Sequence, residues 1–383
     1  MLLNARSRIN ISTDTWTGPN SRSYCGIVAH FIDQTISLRT LLIGLPRILG
    51  QHTGENIASC LLNCFREYEI TERIGCFVTD NASNNDKAID IIVRVGALPG
   101  VTNAQRIRCI GHVINLVVKA LLFGKGLGKL EEELRRAGDE EMFDIWSKQG
   151  PIGRLHNICV YINRSDTRRQ EFMAGQANAH LLDDDPDVVG DPIFYYQLKT
   201  DGGVRWNAVY CMIKRGKLYI RQRLSIALTG DTSGLRLRQS IDLYFLRWHP
   251  RSGNDYNLKK DALDAEDWRQ LELYLALLRP FKSLTKRMEG MADKDGREGS
   301  HSALWEILKS MDYMHSHLIA ASKRINSDLE YFKEPYTAGV NAATFKLNEY
   351  YDLTDKTPLY RAAIILHPSI KLEYFREYWK EPT

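Results

Sequence analysis

Residues 73–85 read RIGCFVTDNASNN, and this stretch decides the fold. Arg73–Thr79 is short and almost wholly apolar after its first residue, as a central strand buried on both faces should be. Asp80 ends the run. The polar Asn81-Ala82-Ser83-Asn84-Asn85 that follows supplies helix-start residues, and Ala88–Val95 continues with helical spacing. A carboxylate is thus expected where a central strand hands over to a helix.

Working outward toward the N-terminus, Arg8–Trp16 (RINISTDTW) reads as a second strand, ending in its own carboxylate, Asp14. Tyr24–Ile32 and Ile36–Leu45 are β-branched apolar runs separated by turn residues, which predicts an antiparallel meander. Thr53-Gly54-Glu55 opens a helix through Ile57, Leu61, Leu62 and Phe65. In the other direction, a short strand near Arg106–Arg108 leads into a helix over His112–Leu122. The order is three strands, helix, strand, helix, strand, helix: an α/β arrangement of the RNase H-like kind.

After about Phe123 the pattern becomes helical. Segments around Glu131–Glu133, Leu155–Phe172, Asn207–Ala227, Trp268–Leu278, Ala303–Ser322 and Thr344–Tyr351 are amphipathic. Acidic Leu181–Asp191 and polar Gly290–Gly299 read as loops. The expected organisation is a core over 1–123, an all-helical insertion over 124–370, and a short return toward the core over 371–383.

Composition narrows the function. Fifty-one Lys and Arg against 47 Asp and Glu leave a net charge of +4, too little over 383 residues to argue nucleic-acid binding without local clustering. One cluster exists. Between Gly202 and Gly230 there is no acidic residue, while Arg205, Lys214, Arg215, Lys217, Arg221 and Arg223 are basic. Such a run suits phosphate contacts, although a solvated helix face is the ordinary explanation of charge runs. Seven scattered cysteines with no Cys-x-x-Cys pair argue against a disulfide framework and a self-contained zinc finger. No long apolar stretch suggests a membrane partner, and no phosphate loop or similar motif suggests a small-molecule substrate.

Two carboxylates at the ends of neighbouring strands can share divalent cations, which in phosphodiester chemistry activate the attacking oxygen and steady the leaving one. Each alone is equally explained as a helix cap or turn former. The surrounding words separate these readings. Ile11–Thr17 (ISTDTWT), Phe77–Asp86 (FVTDNASNND), Arg108–Leu116 (RCIGHVINL), Arg205-Trp206-Asn207, Leu347–Tyr351 and Pro358–Pro368 together resemble, in order, the conserved blocks of the hAT family of DNA transposases.

The resemblance implies an RNase H-like core interrupted by a helical insertion, a nuclear location, DNA as partner, and a catalytic Asp-Asp-Glu triad using Mg²⁺ or Mn²⁺. Asp14 and Asp80 match the two aspartates, and Trp16, Cys109 and His112 fall in the blocks around them. Cys109 is expected to pack in the core and His112 to hydrogen-bond near the acidic pair, with no zinc, since two residues are half a ligand set. Trp206 matches a tryptophan that stacks on a displaced base; a packed core tryptophan remains the alternative. The family's Glu lies in a Glu-Arg-x-Phe-Ser block within its dimerisation region. Neither that block nor the family's N-terminal zinc finger has a counterpart here, and Glu373, Glu377 and Glu381 lie outside such a context. The expectation is a transposase-like core, truncated at both ends, that binds DNA but cuts it poorly. The alternatives are an active transposase whose ends were lost in gene prediction, and a domesticated regulatory protein.

Overall fold

The computed structural model describes residues 1–18, 20–181, 197–199, 206–216, 237–250, 256–289, 303–328, 334 and 336–379. Six strands form one mixed sheet: β1 (Ile9–Thr17), β2 (Ser23–Ile32), β3 (Leu38–Gly44), β4 (Arg47–Ile48), β5 (Ile74–Thr79) and β6 (Arg106–Arg108). Their order is β3-β2-β1-β5-β6, with β4 added to β2. The meander β1-β2-β3 is antiparallel, and β5 and β6 join it parallel to β1. The expected order of elements is present, with the two-residue β4 in addition. An RNase-like α/β region followed by a helical region is therefore the architecture of this chain.

Alternation along the strands explains why one face is buried. Ile9, Ile11 and Thr13 of β1, Cys25, Ile27, Ala29 and Phe31 of β2, and Phe77 of β5 point inward and are nearly inaccessible. Two helices cover them: α1 (Gly54–Glu67) and α2 (Ser83–Arg94). Thr53 caps α1 by accepting the Asn56 N–H at 3.3 Å. The buried stripe of α1 runs Ile57, Ala58, Leu61, Leu62 and Phe65, and Phe65 meets Phe77 with ring centroids 6.2 Å apart. At the start of α1, Gly54 makes the two helices' approach possible. A β-carbon there would come within 2.7 Å of Lys87 Cβ and 3.0 Å of the Ala88 nitrogen.

By contacts the chain forms two compact units. One takes in 1–117, 283–319 and 344–383; the other takes in 118–282 and 320–343. Segments 283–319 and 344–383, expected within the insertion or the return, thus belong with the sheet. The tie is visible at β6. The Arg108 backbone N–H donates to the Tyr360 hydroxyl at 2.9 Å, and Thr357 Oγ1 donates to the Ala104 carbonyl at 2.5 Å.

The second unit is helical, and its interior holds a polar knot around Asp261, which is fully buried. Ser147 Oγ, Tyr256 OH (2.9 Å) and Asn157 Nδ2 (3.2 Å) all donate to this carboxylate. Trp146 and Trp268 are buried in the unit as expected of core anchors, whereas Trp305 is half-buried in the first unit, beside His367. The expected loop 290–299 and all but the first residue of 181–191 lie outside the described residues.

Candidate metal and DNA site

Asp14 and Asp80 come from adjacent parallel strands. Ser12 of β1 is the register partner of Val78 of β5, and each aspartate lies two residues beyond that pair. Asp14 lies within β1, where alternation puts it on the face opposite the buried Thr13, and Asp80 is the first residue after β5. The sequence placed each at a strand end: Asp80 does follow the end of β5, whereas β1 runs on past Asp14 to Thr17 because its pairing with β2 continues to Ser23.

Hydrogen bonds hold one oxygen of each carboxylate. Asp14 Oδ1 accepts from the Thr15 N–H at 2.9 Å. Asp80 Oδ1 accepts from the Ala82 N–H at 2.8 Å and from Asn85 Nδ2 at 2.6 Å. The Asp14 pKa is raised above the usual carboxylate value. Loss of solvent is the largest cause, opposed by the Thr15 N–H; the charge of Asp80 raises it further and that of His112 lowers it. Asp14 and Asp80 are therefore close enough to repel, and a cation between them would relieve that repulsion.

Mg²⁺ and Mn²⁺ take oxygen ligands, and Mg²⁺ usually keeps several waters while binding one or two carboxylates. Asp14 and Asp80 each retain an oxygen, Oδ2, with no hydrogen bond among the described residues. Next to Asp80, the Asn81 amide has buried nitrogen and oxygen atoms without partners. This donor set fits one hydrated divalent cation. A two-metal centre needs more, and among the described residues no group of three His, Cys, Asp or Glu side chains is arranged to hold a metal ion.

The neighbouring residues behave in different ways. Trp16 is 42% exposed, and its ring lies 5.9 Å from that of Tyr24. A β-carbon on Gly26 would meet the indole at 3.2 Å, so the glycine makes room for it. Cys109 is half-buried, not packed in the core as expected; its N–H donates to the Thr79 carbonyl at 2.9 Å and its carbonyl accepts from Val113. It thereby joins β5 to α3 (Ile110–Phe123). His112 lies in the first turn of α3, near enough to Asp14 to act on it electrostatically, and no hydrogen bond joins its side chain to another described residue.

Three participants were missed from sequence. Asn85 anchors Asp80, Gly26 seats Trp16, and Arg106 is a buried cation whose Nε and Nη2 donate to Thr79 Oγ1 at 3.2 and 2.9 Å. Loss of solvent lowers the Arg106 pKa to about 10. One signal for it was available: an arginine flanking the apolar Ile107 in a short strand, if buried, needs a specific partner.

The basic run is only partly visible. Arg205, Lys217, Arg221 and Arg223 lie outside the described residues. Trp206 opens the helix Trp206–Gly216 and is 4% exposed, so the packed-core alternative is the one its burial favours. Stacking on a base needs an open ring face. Lys214 is exposed and Arg215 half-buried in the last turn of that helix. Among the described residues no single helix is long and apolar enough to cross a membrane.

Comparison with known proteins supports a hAT-like transposase relationship. The family described as the ZBED1 RNase-like domain matches residues 12–95, the span that carries both aspartates. "Putative transcriptional regulator tpeD" of Talaromyces stipitatus is 25% identical over 99% of this chain and 38% of its own length. "Putative AC transposase" of Zea mays is 23% identical over 76% of this chain and 29% of its own. "Putative AC9 transposase" of Zea mays is 24% identical over 60% of this chain and 24% of its own. The chain thus spans well under half the length of these relatives. No solved structure matches.

Proposed function

We propose that this chain is the RNase H-like core of a hAT-type transposase relative, that it binds DNA in the nucleus, and that these 383 residues alone cut DNA poorly or not at all. One observation carries the reading: Asp14 on β1 and Asp80 just past the end of β5 each follow by two residues the register pair of Ser12 with Val78 on these parallel neighbours. A fold that only needed turn formers has no reason to match their register.

In this reading Asp14 and Asp80 hold one Mg²⁺ or Mn²⁺ through their Oδ2 atoms. Such an ion supplies charge stabilisation to a phosphodiester oxygen. Asn85 fixes the Asp80 carboxylate. With two carboxylates the second ion of a two-metal centre is weakly held, hence the poor cleavage. DNA binding rests on the basic stretch that includes Lys214 and Arg215 and on the transposase likeness. Trp206 is assigned a packing role.

The deciding experiment is a cleavage assay with Mn²⁺ on supercoiled and hairpin-prone DNA, with Asp80→Asn as control. No cutting above that control is expected. Cutting that Asp80→Asn abolishes would show a competent active site and favour the active-transposase alternative. The regulatory alternative has its own support, since the regulator of Talaromyces stipitatus aligns over almost the entire chain. It predicts no DNA affinity even at low salt.

A further inference from the structure

We propose that Arg106 is a positioning residue for the cation site, fixing Asp80 where it can pair with Asp14. This rests on the reading of Asp14 and Asp80 as cation ligands. Arg106 is the register partner of Phe77, three residues before Asp80. Its side chain runs along β5 to the strand's end. One guanidinium there meets three targets: the Thr79 hydroxyl through Nε and Nη2, the Asp80 backbone carbonyl through Nη2 at 2.8 Å, and Asp86 in the first turns of α2 through Nη1.

Those bonds act on the backbone of Asp80. Ala82 and Asn85 secure one carboxylate oxygen; Arg106 secures the carbonyl together with the Thr79 hydroxyl, which donates to it at 3.0 Å and is itself held by Arg106, and with it the plane of the peptide that leads into α2. Backbone and side chain are thereby pinned from opposite sides, leaving Oδ2 as the atom available to an ion. A buried charge is costly unless its hydrogen bonds are met. Only a planar fork of donors can meet all three targets at once. As a cation, Arg106 repels a metal, so it acts through Asp80 and not as a ligand.

A merely structural arginine would change stability and leave ion affinity alone. The test is Mn²⁺ titration of the full chain, followed by electron paramagnetic resonance, with a thermal melt of each protein. Asp80→Asn should abolish binding. Arg106→Gln should weaken it about 10- to 100-fold, as loss of a group that orients a ligand does, and Arg106→Lys should restore part of the loss. Thr79→Val removes both an anchor of the guanidinium and the hydroxyl's own bond to the Asp80 carbonyl, and should weaken binding to a lesser degree. If Arg106→Gln does not fold, Arg106→Lys decides: it keeps the charge and loses the fork, and weaker binding by the folded variant is expected. Wild-type affinity in the folded Arg106 variants, with binding lost in Asp80→Asn, overturns the role of Arg106 and leaves the cation site standing. No Mn²⁺ binding by the wild type overturns both.

Discussion

Asp14 meets both partial loss of solvent and the charge of Asp80 in the folded chain. Its pKa is raised in the folded chain, so the fold binds that proton more tightly than the unfolded chain does. The resulting stability is fully present below the unfolded value of about 3.9 and falls as pH rises through the raised one. Asp14→Asn should therefore melt at a higher temperature than wild type at pH 7, with the gap closing toward pH 3. An equal gap at both pH values would remove the raised Asp14 pKa, which loss of solvent and then the charge of Asp80 produce, as its cause. The buried thiols offer a second check. Burial pushes Cys25 and Cys64 up to about 11. Neither should react with a maleimide at pH 8 until the chain is unfolded, which mass spectrometry of the labelled peptides would show. Asp80 was legible from sequence because it closes an apolar run, and Asp14 because of the Ser-Thr-Asp-Thr-Trp block around it. Arg106 was not, because its targets lie 26 and 27 residues away and only the pairing of β5 with β6 brings them within reach.

Elements carry a different kind of information. The strands and first helices were legible because hydrophobic period and turn residues agreed over every one of them. The exception, β4, is two residues long and owes its existence to pairing with β2. Which helical segments join the sheet was not legible, since amphipathic spacing says that a face is buried and not against what. The α1–α2 approach gives an element-scale prediction. Gly54→Val places methyl groups against Lys87 Cβ and the Ala88 backbone, where nothing flexible can yield. A loss of about 1–3 kcal/mol is expected, the usual cost of overpacking, read from the urea midpoint. Asp261 gives another. Asp261→Leu strands the donors of Ser147, Tyr256 and Asn157 in the helical unit. The expected cost is about 3 kcal/mol or more, given the penalty for each unsatisfied buried group; a change below 1 kcal/mol would mean the knot is not closed in solution.

At the scale of the whole molecule, a net charge of +4 is nearly neutral, so any DNA affinity must be local and salt-sensitive. If all six basic residues between Gly202 and Gly230 meet phosphates, affinity should fall about a thousandfold between 50 and 200 mM salt. Lys214→Ala should reduce the slope of log K against log salt by about one unit. A slope unchanged by that substitution would move the DNA contact elsewhere on the chain.

The bond from the Arg108 N–H to Tyr360 spans 252 residues. A ribosome adding about 5–20 residues per second needs roughly 10–50 s to travel between them. For that interval the meander and its helices can already be in place, while the outer edge of β6 waits, its donor served only by water. The nascent chain therefore passes through a stage with one open strand edge. That edge is where a chaperone would be expected to engage it, and where misassembly with a second nascent chain would begin.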